Sequence, residues 1–181
     1  YALKAETGPD AVNISPGAVC TKGGTENSKG LGPGKKQLPL NFEIPAVKEL
    51  NLGGIDLSVD YRKSEENCNL FTRGTQFNMS VKDGKVAIAY KVKLGKKTFA
   101  VSEVTRYEIP EDDEFRNYRF VYEPVKGRSE IFVNDVAIWS HDELPESVLT
   151  WKESDRLIVG KDLKGDGTDK VFIDNITIKA T

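Results

Sequence analysis

Apolar and polar residues alternate one by one in short runs along most of this chain, and no long segment shows the period of an amphipathic helix. In Ile55-Asp-Leu-Ser-Val-Asp-Tyr61 every second residue is apolar. Side chains of a strand point alternately to opposite faces, so Ile55, Leu57, Val59 and Tyr61 form a buried face and Asp56, Ser58 and Asp60 a wet one. The same reading puts Phe77, Met79 and Val81 inward with Asn78 outward, and groups Tyr118, Phe120 and Tyr122 on one face. Further strands are predicted at 11–14, 38–44, 70–72, 86–92, 98–109, 157–159 and 171–178.

The hairpin at 130–141 organises the rest. Two β-branched runs flank Asn134-Asp135, residue types that tolerate the positive φ of a two-residue turn. A plain turn of this kind sets Val133 opposite Val136, Ile131 opposite Ile138 and Glu130 opposite Trp139. Ile131, Val133, Val136 and Ile138 then share the core face, with Phe132, Ala137 and Trp139 on the other. Asp83-Gly84 predicts a second tight hairpin. A lone hairpin is unstable in water, so these strands need a second layer.

Between the strands lie recognisable breaks. Residues 1–37 form an arm rich in glycine and lysine, with loops expected at 23–24 and 30–36. The glycines and lysines of 30–36 lack the Gly-Lys-Ser/Thr ending of a phosphate loop, and no helix follows. Glu111-Asp-Asp-Glu114 reads as a loop of like charge, 142–151 as a segment holding one helical turn, and 161–170 as a loop rich in glycine and aspartate. Many short strands joined by turns define an all-β sandwich or barrel, here a single domain over 1–181.

Composition narrows the partners. A hydrophobic fraction of 38% and a charged fraction of 30% describe a soluble globular domain. The net charge of −2, with both signs interspersed, argues against a nucleic-acid binder. No apolar run is long enough to span a bilayer as a helix. The chain opens at Tyr1 with neither an initiator Met nor a signal-peptide pattern, which reads as a mature or excised piece.

The order of motifs resembles the concanavalin A-like, laminin-G-like lectin and glucanase superfamily. Phe115-Arg-Asn-Tyr-Arg-Phe-Val-Tyr-Glu123 is similar to its Trp-His-His-Val-Ala-Val-Thr-Tyr-Asp strand, and Arg128 to Ile138 to its Arg-Leu-Tyr-Val-Asp-Gly-Val hairpin. Leu157-Ile-Val-Gly160 is similar to its Leu-Tyr-Ile-Gly strand, and Phe172-Ile-Asp-Asn-Ile-Thr-Ile178 to its closing Tyr-Ile-Asp-Glu-Val-Arg-Ile strand. The resemblance covers about residues 38–178. It implies a two-sheet antiparallel jelly-roll sandwich, secretion or display at the cell surface, and a glycan or a cell-surface protein as partner. The superfamily also contains glycoside hydrolases, so fold alone leaves activity open.

Retaining hydrolases need two carboxylates about 5 Å apart. The Glu-x-Asp-x-x-Glu strand that supplies them in the hydrolase branch has no counterpart here. His141 is the only histidine, which excludes a His-rich zinc site and leaves no nucleophile-elbow triad. The expected role is therefore a non-catalytic, lectin-like module. The alternatives are a glycan-active enzyme with a diverged site and an adhesion domain without a small ligand.

Phe132 and Trp139 are the expected sugar platform, with Trp151 at the rim and Arg119 fixing orientation. Asp162, Asp166 and Asp169 offer hard oxygen ligands for calcium, although Lys161 and Lys164 oppose a cation, and a plain polar turn is the competing reading. Cys20 and Cys68 form one disulfide or remain two buried thiols. Asn13, Asn78 and Asn175 each head an Asn-x-Ser/Thr acceptor sequence for glycosylation, which points outside the cell.

Overall fold

The computed structural model describes residues 2–4, 12–13, 19–22, 24–27, 30–33, 41–46, 48–161, 163 and 172–181, with backbone alone before residue 43. The strands are β1 (Ala2–Lys4), β2 (Val12–Asn13), β3 (Val19–Lys22), β4 (Gly24–Asn27), β5 (Gly30–Pro33), β6 (Asn41–Ile44), β7 (Ile55–Tyr61), β8 (Cys68–Arg73) and β9 (Phe77–Lys82). They continue as β10 (Lys85–Leu94), β11 (Lys97–Glu108), β12 (Arg116–Glu123), β13 (Arg128–Val133), β14 (Val136–Asp142), β15 (Val148–Leu149), β16 (Leu157–Val159) and β17 (Ile173–Ala180). A single 3₁₀ turn spans Lys48–Leu50, and no α-helix occurs among the described residues.

Two antiparallel sheets result. Sheet A runs β14-β13-β12-β7-β17-β1-β2, with β5 also on β17 and β4 on β5. Sheet B runs β11-β10-β9-β8-β16-β6-β3, with β15 on β10. After β7 the chain leaves sheet A for the four-strand run β8–β11, returns for β12–β14, crosses again for β15 and β16, and closes on sheet A with β17. These crossings make a jelly-roll sandwich.

The core sits between the sheets. The alternation read from sequence holds in detail: Leu57, Val59 and Tyr61 are fully buried, and Ile55 nearly so. Phe77 of sheet B meets Phe120 of sheet A edge to face at 5.3 Å, and Tyr61 meets Tyr118 at 5.9 Å. Each such ring contributes about 1.5–3 kcal/mol from burial, with the aromatic contact adding about 0.5–1.5 kcal/mol. Tyrosines serve this core because each hydroxyl finds a partner at its margin. Tyr122 and Ser147 share a hydrogen bond of 2.6 Å, and Tyr90 and Ser129 one of 2.7 Å.

Several expectations need correction. The loops expected at 23–24 and 30–36 contain β4 and β5, which pair with each other. Of the strand expected at 38–44, Asn41–Ile44 is present as β6, and 38–40 lie outside the described residues. The segment 142–151 holds no helical turn: Glu146 takes a left-handed φ of 64° after Pro145, and the backbone returns to sheet B as β15.

The central hairpin keeps its turn, with φ of 47° at Asn134 and 64° at Asp135, but loses its plain register. Val133 faces Val136 as expected, yet Phe132 pairs with Ala137 and Ile131 with Trp139. Ile138 is the extra residue of a β-bulge, a feature common on edge strands, and β14 is the edge of sheet A. At that edge Val136 is 66% exposed, so the core face expected to include it ends at Val133.

Candidate functional site

The open face of sheet B is set by the register of β8–β11. Asn78 pairs with Thr72 on one side and Ala89 on the other, and Ala89 pairs with Ser102. One step along, Lys91 pairs with Ala100, and beyond it Lys93 with Thr98. Residues paired directly across strands share a face, so this outer surface alternates small apolar floor and polar groups. Their inward neighbours Phe77, Met79, Ile88 and Tyr90 are buried and hold the strands down. A depression of about 220 Å³ opens here, lined by Thr75, Asn78, Ala89, Lys91, Ala100 and Ser102.

The polar groups are held in place. Asn78 Nδ2 donates to Asn69 Oδ1 at 2.5 Å and to Thr72 Oγ1 at 3.0 Å. Both amide hydrogens are thereby committed, which leaves Oδ1 to accept a bond. The Asn78 sequon faces outward as expected, but a glycan on Nδ2 would break one of these bonds and fill the depression.

The expected aromatic platform is divided by the bulge. Phe132 stays on the outer face of sheet A, where it pairs with Arg119. Arg119 forks onto Asp56 at 2.7 and 2.8 Å, and its guanidinium lies 5.6 Å from the Phe132 ring centre. Two of its donors are thereby committed within the protein. Trp139 lies instead on the inner side of the sheet, packed partly against the core and stacked on His141 at 5.9 Å with 4° between planes. His141 Nε2 in turn lies 3.4 Å from Glu143 Oε1, which also accepts from the Tyr90 hydroxyl at 3.4 Å. Burial pushes the Tyr90 hydroxyl above its ordinary range, so it stays protonated and donates.

Trp151 is in a third place. Its Nε1 donates to the Leu52 carbonyl at 2.6 Å, and its ring covers Phe77 and the buried Arg73 guanidinium. The four residues therefore form no single surface, a correction to the sequence reading. What sequence reasoning missed is the sheet B depression, because alanines and amides carry no motif.

The remaining expectations separate likewise. Asp162, Asp166 and Asp169 lie outside the described residues, and among the described residues no three His, Cys, Asp or Glu side chains gather as for a metal. The Asn13 and Cys20 side chains also lie outside them. The strand order still bears on the disulfide. Cys20 pairs with Phe42 on β6, and β16 separates β6 from β8, where Cys68 begins. Three strand spacings amount to about 14 Å, whereas a disulfide joins Cα atoms no more than about 7 Å apart. This order leaves the bridge out of reach. Cys68 is buried, with its Sγ donating to the Tyr61 hydroxyl at 3.7 Å. Asn175 Nδ2 donates to Asp60 Oδ2 at 2.7 Å.

A larger depression of about 630 Å³ lies beside the loop at 111–114. Its lining is acidic and partly ion-paired: Lys63 Nζ bridges Glu66 at 2.9 Å and Glu111 at 3.2 Å, and Arg116 holds Asp112 at 2.7 Å.

Similarity to solved structures identifies the fold. The chain superposes on the CBM40 module of the Ruminococcus gnavus IT-sialidase, bound to alpha2,3 sialyllactose, with a TM-score of 0.56 and 11% identity over 89% of this chain and 88% of that one. It superposes on the endo-beta-1,4-glucuronan lyase of Trichoderma reesei with a TM-score of 0.59 and 10% identity, over 100% and 95%. The LG4-5 domains of the mouse laminin alpha1 chain match with a TM-score of 0.54 and 14% identity, over 94% of this chain and 44% of that one. This domain thus has the concanavalin A-like, two-sheet jelly-roll fold that these structures share. No protein-family model matches the chain, and no curated protein matches it by sequence.

Proposed function

We propose that this domain is a non-catalytic, lectin-like module that binds carbohydrate outside the cell, at the open face of sheet B. The observation that carries this reading is the alanine-floored depression with Asn78, Ser102 and Thr75 at its walls. Sugars present CH faces for an apolar floor and hydroxyls for fixed amides and hydroxyls, and binding sites combine those two features. The sialyllactose bound by the CBM40 module supports a glycan as the class of ligand. The absence of a catalytic role is supported by the register: no Asp or Glu occupies an outward position among Asn69, Thr72, Asn78, Ser80, Ala87, Ala89, Lys91, Lys93 and the residues of β11 paired with them. A two-carboxylate hydrolase has no acid there.

A glycan array, run with and without EDTA, tests the reading. Ala89→Tyr should abolish array binding while the melting temperature stays near that of the parent. Phe132→Ala should leave binding intact. Binding lost with Phe132→Ala and kept with Ala89→Tyr would move the site to sheet A. Binding lost with EDTA would bring calcium into the site, and the loop at 161–170 with it.

A further inference from the structure

We infer that the sugar held on sheet B is an acidic one, whose carboxylate or sulfate seats against Lys91 and Lys93. This inference rests on the carbohydrate reading and names its ligand class.

The argument is one of charge. Lys91 lines the depression, and Lys93 stands two residues further along β10 on the same face. Same-face neighbours on a strand are about 6.6 Å apart, a spacing that lets two ammonium groups approach one anionic group from both sides. Three lysines elsewhere are matched to acids: Lys63 to Glu66 and Glu111, Lys85 to Glu108, and Lys126 to Glu123. Among the described residues neither Lys91 nor Lys93 has an ion pair, and the outward positions around them offer none. Lys91 pairs with Ala100, and Lys93 with Thr98 on one side and Val148 of β15 on the other, none of them acidic. Two like charges side by side over a small-residue floor form a local positive field on a chain whose net charge is −2. Such a field complements an anion and not a neutral ring.

The depression also limits the size of the occupant. At about 220 Å³ it is smaller than the roughly 300–1,000 Å³ of sites that enclose a drug-sized molecule. It takes one unit of a longer chain that runs on across the open face. Thr75 and Ser102 offer hydroxyls, and Asn78 Oδ1 accepts, so the hydroxyls of that unit have partners while its acidic group meets the lysines. Nucleic acid fits less well, because the outward positions of β8–β11 carry no aromatic ring for a base to stack on.

Isothermal titration with polyglucuronate oligosaccharides, heparin oligosaccharides and neutral laminarin oligosaccharides tests this, at low and at high salt. Acidic chains should bind about tenfold or more tighter than neutral ones, the scale of one charge-assisted bond. Lys91→Gln and Lys93→Gln should each weaken acidic binding about tenfold and leave neutral binding unchanged. Added salt should weaken only the acidic chains. Tight binding of polyglucuronate alone identifies the anion as carboxylate, and of heparin alone as sulfate. Equal affinity for neutral and acidic chains, unmoved by Lys91→Gln, overturns the acidic ligand while the carbohydrate reading stands. Failure of all three sugars with a folded protein overturns the carbohydrate reading itself, and tight binding of single-stranded DNA in their place overturns both.

Discussion

Trp139 lies directly across from Ile131, on the packed side of the central hairpin, and so faces away from Phe132. One inserted residue, Ile138, makes the difference. The side of the sheet to which an indole ring belongs thus depends on a single bulge at an edge strand.

Trp139→Ala should therefore act on stability. The ring packs partly against the core and stacks on His141. Its loss should cost about 3 kcal/mol in urea unfolding, the low end of the core range because the ring is only half buried. Glycan affinity should not change. A drop in affinity with full stability would restore Trp139 to a ligand platform.

Deletion of Ile138 is the sharper test of the register. Without the extra residue the ladder becomes plain, and Trp139 stays opposite Ile131 on the inner side because it now directly follows Ala137. In a Trp151→Phe background, acrylamide quenching of Trp139 fluorescence should therefore stay at the level of the parent. A rise in quenching would mean that Ile138 is not the residue the ladder skips.

These residues also mark how far the sequence could be read. Alternation at Ile55, Leu57, Val59 and Tyr61 fixes a face because each of the four is buried by the opposite sheet. The turn at Asn134-Asp135 is legible because few residues accept positive φ. The bulge is not: Val136-Ala-Ile-Trp139 is apolar throughout, so its pattern is the same whether or not one residue is skipped. The sheet B depression is illegible for another reason. It is assembled from outward positions of β9, β10 and β11 and the turn before them, and it exists only once the strands are laid side by side.

Asp174 gives a pH-dependent outcome. Burial holds its carboxyl above the ordinary range, and Asp60, its cross-strand partner, pushes the same way, while the Asn175 amide partly offsets both. An acid with a raised folded-state pKa binds more protons folded than unfolded, so it costs stability at neutral pH, and the cost disappears as pH falls through the folded value toward the unfolded one near about 3.9. Asp174→Asn should raise the melting temperature at pH 7. That gain should shrink through the acid range and vanish below it. A gain that does not change with pH would point to packing and not to charge.

Trp151 and Arg73 form the last test, and it separates a binding rim from a structural seal. Arg73 is only 2% exposed, and burial pulls its guanidinium below the ordinary range. It stays charged because each of its three nitrogens donates to an oxygen: to the Leu50 carbonyl, to Asn51 Oδ1 at 2.6 Å and to the Asp155 carbonyl at 3.1 Å. Trp151 closes the site from above at 4.7 Å, tied down through its indole N–H to Leu52. Trp151→Phe keeps a ring but drops that hydrogen bond and weakens the cation–π contact, so it should cost about 1–2 kcal/mol. Trp151→Ala opens a cavity over a buried charge and should cost about 3–5 kcal/mol. Arg73→Lys keeps the charge but cannot reach three acceptors from one planar fork, so at least one buried oxygen is stranded at about 1–3 kcal/mol. Urea midpoints of the three variants should fall in that sense, with Trp151→Ala the lowest, while sugar affinity on sheet B stays within error of the parent. A Trp151→Ala protein as stable as the parent but weakened in sugar binding would return Trp151 to the rim of the site.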